Sequence, residues 1–227
     1  MPRDNLVDTF YIIDFDRTLV DSDTLLEIFI SVASQYGDIS YEQIKKIDID
    51  KKSKGISFDA AEYVHEALSK SGSFAQWSQL EQHYRWECRA RSVLMPGAAQ
   101  LLDSLQVSTR QYGILTYGDP IWQKLKLSAS GLGHVSRIVT AQKTKGGLIA
   151  GWQNDENLFE LPDEFGGGLA TKIILIDDKA MSFEGFPGEP SRGYHVMDNK
   201  TALPAQRGVV PHNVMQVASL YEVIKLL

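Results

Sequence analysis

The chain has 227 residues, 43% of them hydrophobic, with 23 Lys and Arg against 29 Asp and Glu and a formal net charge of −6. That length and apolar content suit one large domain, or one domain carrying an insertion, and a negative balance with scattered basic residues argues against a nucleic-acid partner. The single cysteine, Cys88, allows no intrachain disulfide, no apolar run reaches membrane-spanning length, and Met1-Pro2-Arg3-Asp4-Asn5 lacks the basic-then-apolar pattern of a signal peptide, so the expectation is a cytoplasmic protein with no membrane partner.

The first element is Phe10-Tyr11-Ile12-Ile13, whose β-branched and aromatic content reads as a strand buried on both faces of a parallel sheet. It runs into Asp14-Phe15-Asp16-Arg17-Thr18-Leu19-Val20. Asp after a strand often only turns the chain through its own backbone N–H groups. Here two like charges sit side by side where the ligands of such sheets gather, and they need a cation or a basic side chain to neutralise them.

Residues 21 to 93 lose strand-like runs and take up helical spacing. Thr24 with Glu27 suggests a capping box ahead of Leu25, Leu26, Phe29, Ile30 and Ala33. Lys51-Lys52-Ser53-Lys54-Gly55 reads as a solvated turn between helices. Ser57-Phe58-Asp59 opens a second helix with Ala61, Val64 and Leu68 on one face and Gly72 past its end, and a third runs from about Phe74 through Trp77, Leu80, Tyr84 and Cys88.

Beyond Met95-Pro96-Gly97-Ala98 a helix covers Gln100 to Leu105, and then come three more strands. Tyr112-Gly113-Ile114-Leu115 ends in Thr116-Tyr117-Gly118-Asp119-Pro120, where the Thr116 hydroxyl and the N–H groups around Gly118 suit an anion and Asp119-Pro120 starts a helix. Arg137-Ile138-Val139-Thr140 leads into a loop carrying Lys143 and Lys145. Gly166-Gly167-Gly168 reads as a turn, because no strand precedes it as a dinucleotide site would require. Lys172-Ile173-Ile174-Leu175-Ile176, a second buried-strand run, ends in Asp177-Asp178. Gly193-Tyr194-His195-Val196-Met197 follows as a short edge strand and Leu220 to Leu227 as a closing helix. Two acidic pairs at two buried strand ends point to a metal site.

In chain order the sequence thus offers Asp-x-Asp-x-Thr, a lone Thr, a Lys and Asp-Asp, each behind its own apolar strand. In this it resembles the haloacid dehalogenase-like superfamily, whose four motifs come in that order. The resemblance implies an α/β core with a parallel sheet covered by helices on both faces, formed by residues 1–20 and 94–227, and a small helical cap at 21–93. It further implies Asp14 as the nucleophile that forms an aspartyl phosphate and Asp16 as general acid and base. Mg2+ would be held by Asp14, Asp16 through its carbonyl, and Asp177 or Asp178. Thr116, Tyr117 and Gly118 would bind the substrate phosphate, helped by Lys143 or Lys145. The implied activity is Mg2+-dependent hydrolysis of a small phosphorylated metabolite, with a phosphomutase as the alternative. A receiver-like signalling domain uses similar residues, but its acidic pair precedes the acceptor Asp, and here the order is reversed.

Overall fold

A computed structural model describes residues 6–54, 58–109, 111–197 and 208–227. The stretch Met1–Asn5, Gly55 and Ser57, expected to help open a helix, lie outside these residues. The chain divides into two compact units: an α/β unit made of the segment up to Leu19 with Leu94–Tyr117 and Val135–Leu227, and a helical unit made of Val20–Val93 with Gly118–His134.

The α/β unit is built on a seven-stranded sheet. Its strands are β1 (Leu6–Ile13), β2 (Gln111–Tyr117), β3 (Arg137–Thr140), β4 (Phe159–Glu160), β5 (Leu169–Asp177), β6 (Arg192–Val196) and β7 (Val214–Val217). Six lie parallel in the order β3-β2-β1-β5-β6-β7, and the two-residue β4 pairs antiparallel with the start of β5. Parallel strands shielded on both faces need apolar side chains on both, and Phe10 to Ile13 and Ile173 to Ile176 meet that need by being buried without alternation. Phe10, Ile12, Ile173 and Leu175 share one face with Ile149, Phe159, Phe165 and Phe183. On the other, Tyr11 and Ile174 lie near Leu226 of the last helix.

The helices of this unit are α5 (Ala98–Val107), the short α7 (Lys145–Ala150) and α8 (Leu220–Leu226). The sheet therefore matches the expected architecture, with one correction. The strand read as an edge, now β6, lies inside the sheet between β5 and β7, and the four-residue β7 forms the edge. Its alternating Val-Met-Gln-Val is too short and too polar to stand out as a strand.

The helical unit holds α1 (Ser22–Ala33), α2 (Tyr41–Ser53), α3 (Ala60–Lys70), α4 (Trp77–Arg89) and α6 (Pro120–Ala129). The cap of α1 differs from the expected one, while those of α3 and α6 lie at the expected helix starts. Asp21, not Thr24, caps α1, its carboxylate accepting from the N–H groups of Asp23 and Thr24 while the Thr24 hydroxyl donates back to it at 2.7 Å. Asp59 caps α3 and Asp119 caps α6. Lys51 to Ser53 finish α2 instead of forming a turn, and α2 escaped notice because its residues are too polar to show a clear apolar stripe. Phe29 packs edge-on to Tyr84 at 5.3 Å and tilted against Trp122 at 4.9 Å, which ties α6 to α1 and α4. Among the described residues no helix is long and apolar enough to cross a membrane.

Candidate active site

The strand order runs outward from β1 in one direction and from β5 in the other, so the carboxyl ends of these two strands form the switch point where α/β sheets place ligands. Ile13 pairs with Ile176, which sets Asp14 beside Asp177 one residue further on. The Asp14 N–H donates to the Ile176 carbonyl at 2.8 Å and fixes the exit of β1. The chain then turns through Arg17, whose φ of 67° is unusual for a residue with a Cβ, and brings Thr18 back to donate its hydroxyl to Asp14 Oδ2 at 3.0 Å.

Asp14, Asp177 and Asp178 are all buried, and each offers a carboxylate oxygen within 4.8 Å of the others. Lys145 enters this group from the first turn of α7. Its ammonium donates to Asp14 Oδ1 and, at 2.7 Å, to Asp177 Oδ2. The other Asp177 oxygen accepts from the Lys179 N–H at 2.9 Å. Lys145 can reach so far in because Gly146 lets α7 press on the next loop: a Cβ there would lie 2.6 Å from both the Glu184 carbonyl oxygen and the Phe186 nitrogen.

Burial pushes the Asp14 carboxyl up to about 6, even though the Lys145 charge pulls the other way. For Lys145, burial favours the neutral amine, but the attraction of Asp14 and Asp177 overrides it and keeps the ammonium charged well beyond the ordinary lysine range. Lys179 is likewise raised: burial opposes its charge, and Asp14, Asp178 and Asp177 together outweigh that. Three carboxylates thus face two ammonium groups, leaving a net negative, oxygen-rich pocket that fits a hard divalent cation such as Mg2+.

The other expected residues fall into two groups. Thr116, on β2 beside β1, is fully buried and its hydroxyl oxygen has no hydrogen-bond partner. A buried unpaired hydroxyl is costly unless a ligand oxygen answers it. Tyr117 follows at the half-buried end of β2, and Asp16 is half-buried two residues past Asp14, outside the group of three carboxylates. Lys143 points elsewhere, its ammonium 5.8 Å from the centre of the Tyr117 ring, and Gly118 belongs to the helical unit ahead of the α6 cap. Three positions were not singled out from sequence: Thr18, inside the first motif; Lys179, directly after the second acidic pair; and His195, fully buried on β6, whose Nε2 donates to the Asp178 carbonyl at 3.1 Å. Only the first two carried a signal, their adjacency to the aspartates.

A family model described as haloacid dehalogenase-like hydrolase matches residues 11–147, more than half of the chain. The chain belongs to the haloacid dehalogenase-like hydrolases. Solved structures share the fold of this hydrolase at low identity. One described as a haloacid dehalogenase-like hydrolase from Burkholderia xenovorans LB400 is 18% identical, with 96% of each chain covered and a TM-score of 0.63. A phosphatase of the family from Thermococcus onnurineus is 15% identical over 96% of this chain and 97% of its own, with a TM-score of 0.58. A protein described as a β-phosphoglucomutase from Thermotoga maritima is 15% identical over 97% and 98%, with a TM-score of 0.51. A search of curated proteins finds no match.

Proposed function

We propose that this hydrolase is a Mg2+-dependent phosphohydrolase that cleaves a small phosphorylated metabolite through an aspartyl phosphate on Asp14. The observation that carries this reading is the buried constellation of Asp14, Lys145, Asp177 and Asp178 at the switch point of the sheet. Asp14, Asp177 and Asp178, with the Asp16 carbonyl, would hold the ion, which when bound offsets the negative charge that otherwise keeps a carboxylate and a phosphate apart.

The residues of the chain supply the rest. Thr18 and Lys145 each bond one oxygen of Asp14 and so fix the orientation of its carboxylate. An Asp14 oxygen attacks phosphorus, the phosphorus–oxygen ester bond breaks, and the leaving oxygen takes a proton from the Asp16 carboxyl group. The Asp16 carboxylate then removes a proton from water, whose oxygen attacks the same phosphorus, releasing inorganic phosphate and restoring Asp14. The charged Lys145 and the unpaired Thr116 hydroxyl suit the nonbridging oxygens, where negative charge sits in the transition state. A dehalogenase would have no task for a second acid two residues after the nucleophile, so Asp16 favours phosphoryl transfer.

The test is phosphate release from a panel of phosphorylated metabolites, with Mg2+ and with chelator, for the natural chain and Asp14→Asn. Release that needs Mg2+ and vanishes in the variant is the expected result. Full activity in Asp14→Asn removes the nucleophile, halide release from 2-haloacids would make the enzyme a dehalogenase, and isomerisation of a sugar phosphate without phosphate release would make it a mutase.

A further inference from the structure

His195 sits where an apolar residue would cost less to bury. It is fully buried on β6, inside the sheet between β5 and β7, paired in register with Asp177, and its ring lies 5.8 Å from that of Phe183. An imidazole in such a place has lost its water and must regain hydrogen bonding from the protein. Its Nε2–H supplies one bond, to the Asp178 carbonyl at 3.1 Å; a carbonyl only accepts, so that nitrogen carries the proton. Gly193, two residues earlier on the same strand, makes room for the packing: a Cβ there would lie 2.6 Å from the Phe183 ring.

The bond falls on the one peptide that joins the site's last carboxylate to its second ammonium. Asp178 and Lys179 lie just past the end of β5, beyond the ladder with β6, which ends at Asp177 and His195. Bonds that hold this turn include the Lys179 N–H to the Asp177 carboxylate, the Ser182 N–H to the Lys179 carbonyl at 3.0 Å, and the His195 ring N–H to the Asp178 carbonyl. We propose that His195 is a positioning residue that holds the turn 177–179 so that the Asp177 and Asp178 carboxylates converge with Asp14 on one divalent cation. This rests on the metal-binding reading of the site. Removing the ring N–H takes away a bond that the Asp178 carbonyl holds in the interior and loosens the turn, and outer-shell bonds of this kind typically change metal affinity by about 10–100-fold.

The test measures Mg2+ affinity by calorimetric titration of the full chain and of His195→Leu, His195→Asn and His195→Gln, with thermal unfolding alongside. Gln can carry an N–H to the position of Nε2, whereas Asn is too short and Leu has no donor. Affinity reduced by about tenfold or more in Leu and Asn, and restored in Gln, is expected, with kcat at saturating Mg2+ changed far less than the Mg2+ requirement. Leu or Asn variants that bind Mg2+ like the natural chain but melt lower would reduce His195 to a core residue and overturn the proposal. A natural chain that binds no Mg2+ would overturn the metal reading and this one with it. If the variants do not fold, the long-range 15N spectrum of the natural protein decides: the His195 ring resonances shift on Mg2+ saturation, and unchanged resonances contradict the proposal.

Discussion

Lys145 and Lys143 are two residues apart and have opposite surroundings. Lys145 is buried between Asp14 and Asp177, whereas Lys143 is exposed near Tyr117. We expect Lys145→Met to lower kcat for phosphate release by about 10²–10³-fold, the usual effect of removing one electrostatic donor from a transition state, and Lys143→Ala to leave it within a few-fold. Steady-state kinetics on both variants checks this; equal losses would contradict it. Lys145→Met also strands two carboxylates, so its stability is expected to fall by about 3–5 kcal/mol at neutral pH, which denaturant unfolding measures. The aspartates were legible in the sequence because a charged pair behind a buried strand is costly unless something neutralises it. The choice between the lysines was not, because a stretch of loop gives no direction to its side chains; the direction comes from α7 beginning at Lys145. His195 left no mark at all, since a histidine inside a strand looks the same whether it faces Asp178 or solvent.

At the scale of elements, α7 depends on the absence of a side chain at Gly146. Gly146→Ala drives a Cβ into the backbone of Glu184 and Phe186, so α7 must shift and carry Lys145 with it. We expect a loss of activity greater than the loss of stability, read by comparing kcat with the unfolding midpoint. In the helical unit the caps of α3 and α6 oppose each other. Burial, reinforced by the Asp119 carboxylate, pushes the Asp59 carboxyl up to about 6, although the Glu62 N–H pulls it down. A carboxyl whose folded pKa is raised binds more protons folded than unfolded, so its contribution is present below about 4 and lost as pH rises through about 6. Asn also caps helices well. The stability of the natural chain relative to Asp59→Asn should therefore fall between pH 4 and pH 7; a difference that stays constant would contradict the shift. Asp59 and Asp119 lie within the helix starts that the sequence marks, whereas the α1 cap lies one turn before the expected Thr24, because Asp21, Ser22, Asp23 and Thr24 are all capping types and only the folded backbone selects one.

For the whole molecule, the order of the four motifs along the chain was enough to read the sheet, since each buried strand declares itself by an apolar run too short for a helix and too continuous for a surface. The short β4 and β7 and the polar α2 escaped, because pairing with neighbours defines them more than their own composition does. A cation that binds only the folded chain must also stabilise it. At a Mg2+ concentration of 100 times its Kd the gain is about 2.7 kcal/mol, so we expect the melting temperature to rise by roughly 5–10 °C over that in chelator, and no rise at all in Asp178→Asn. Identical melting with and without Mg2+ would remove the ion from the account.

The proposed chemistry is tested most directly by stopping turnover with acid and locating the phosphoryl group by mass spectrometry of the digested protein. The account predicts one added phosphoryl group on the peptide containing Asp14, absent without substrate and absent in Asp14→Asn. Phosphate release with no such adduct, or an adduct on another residue, would contradict it.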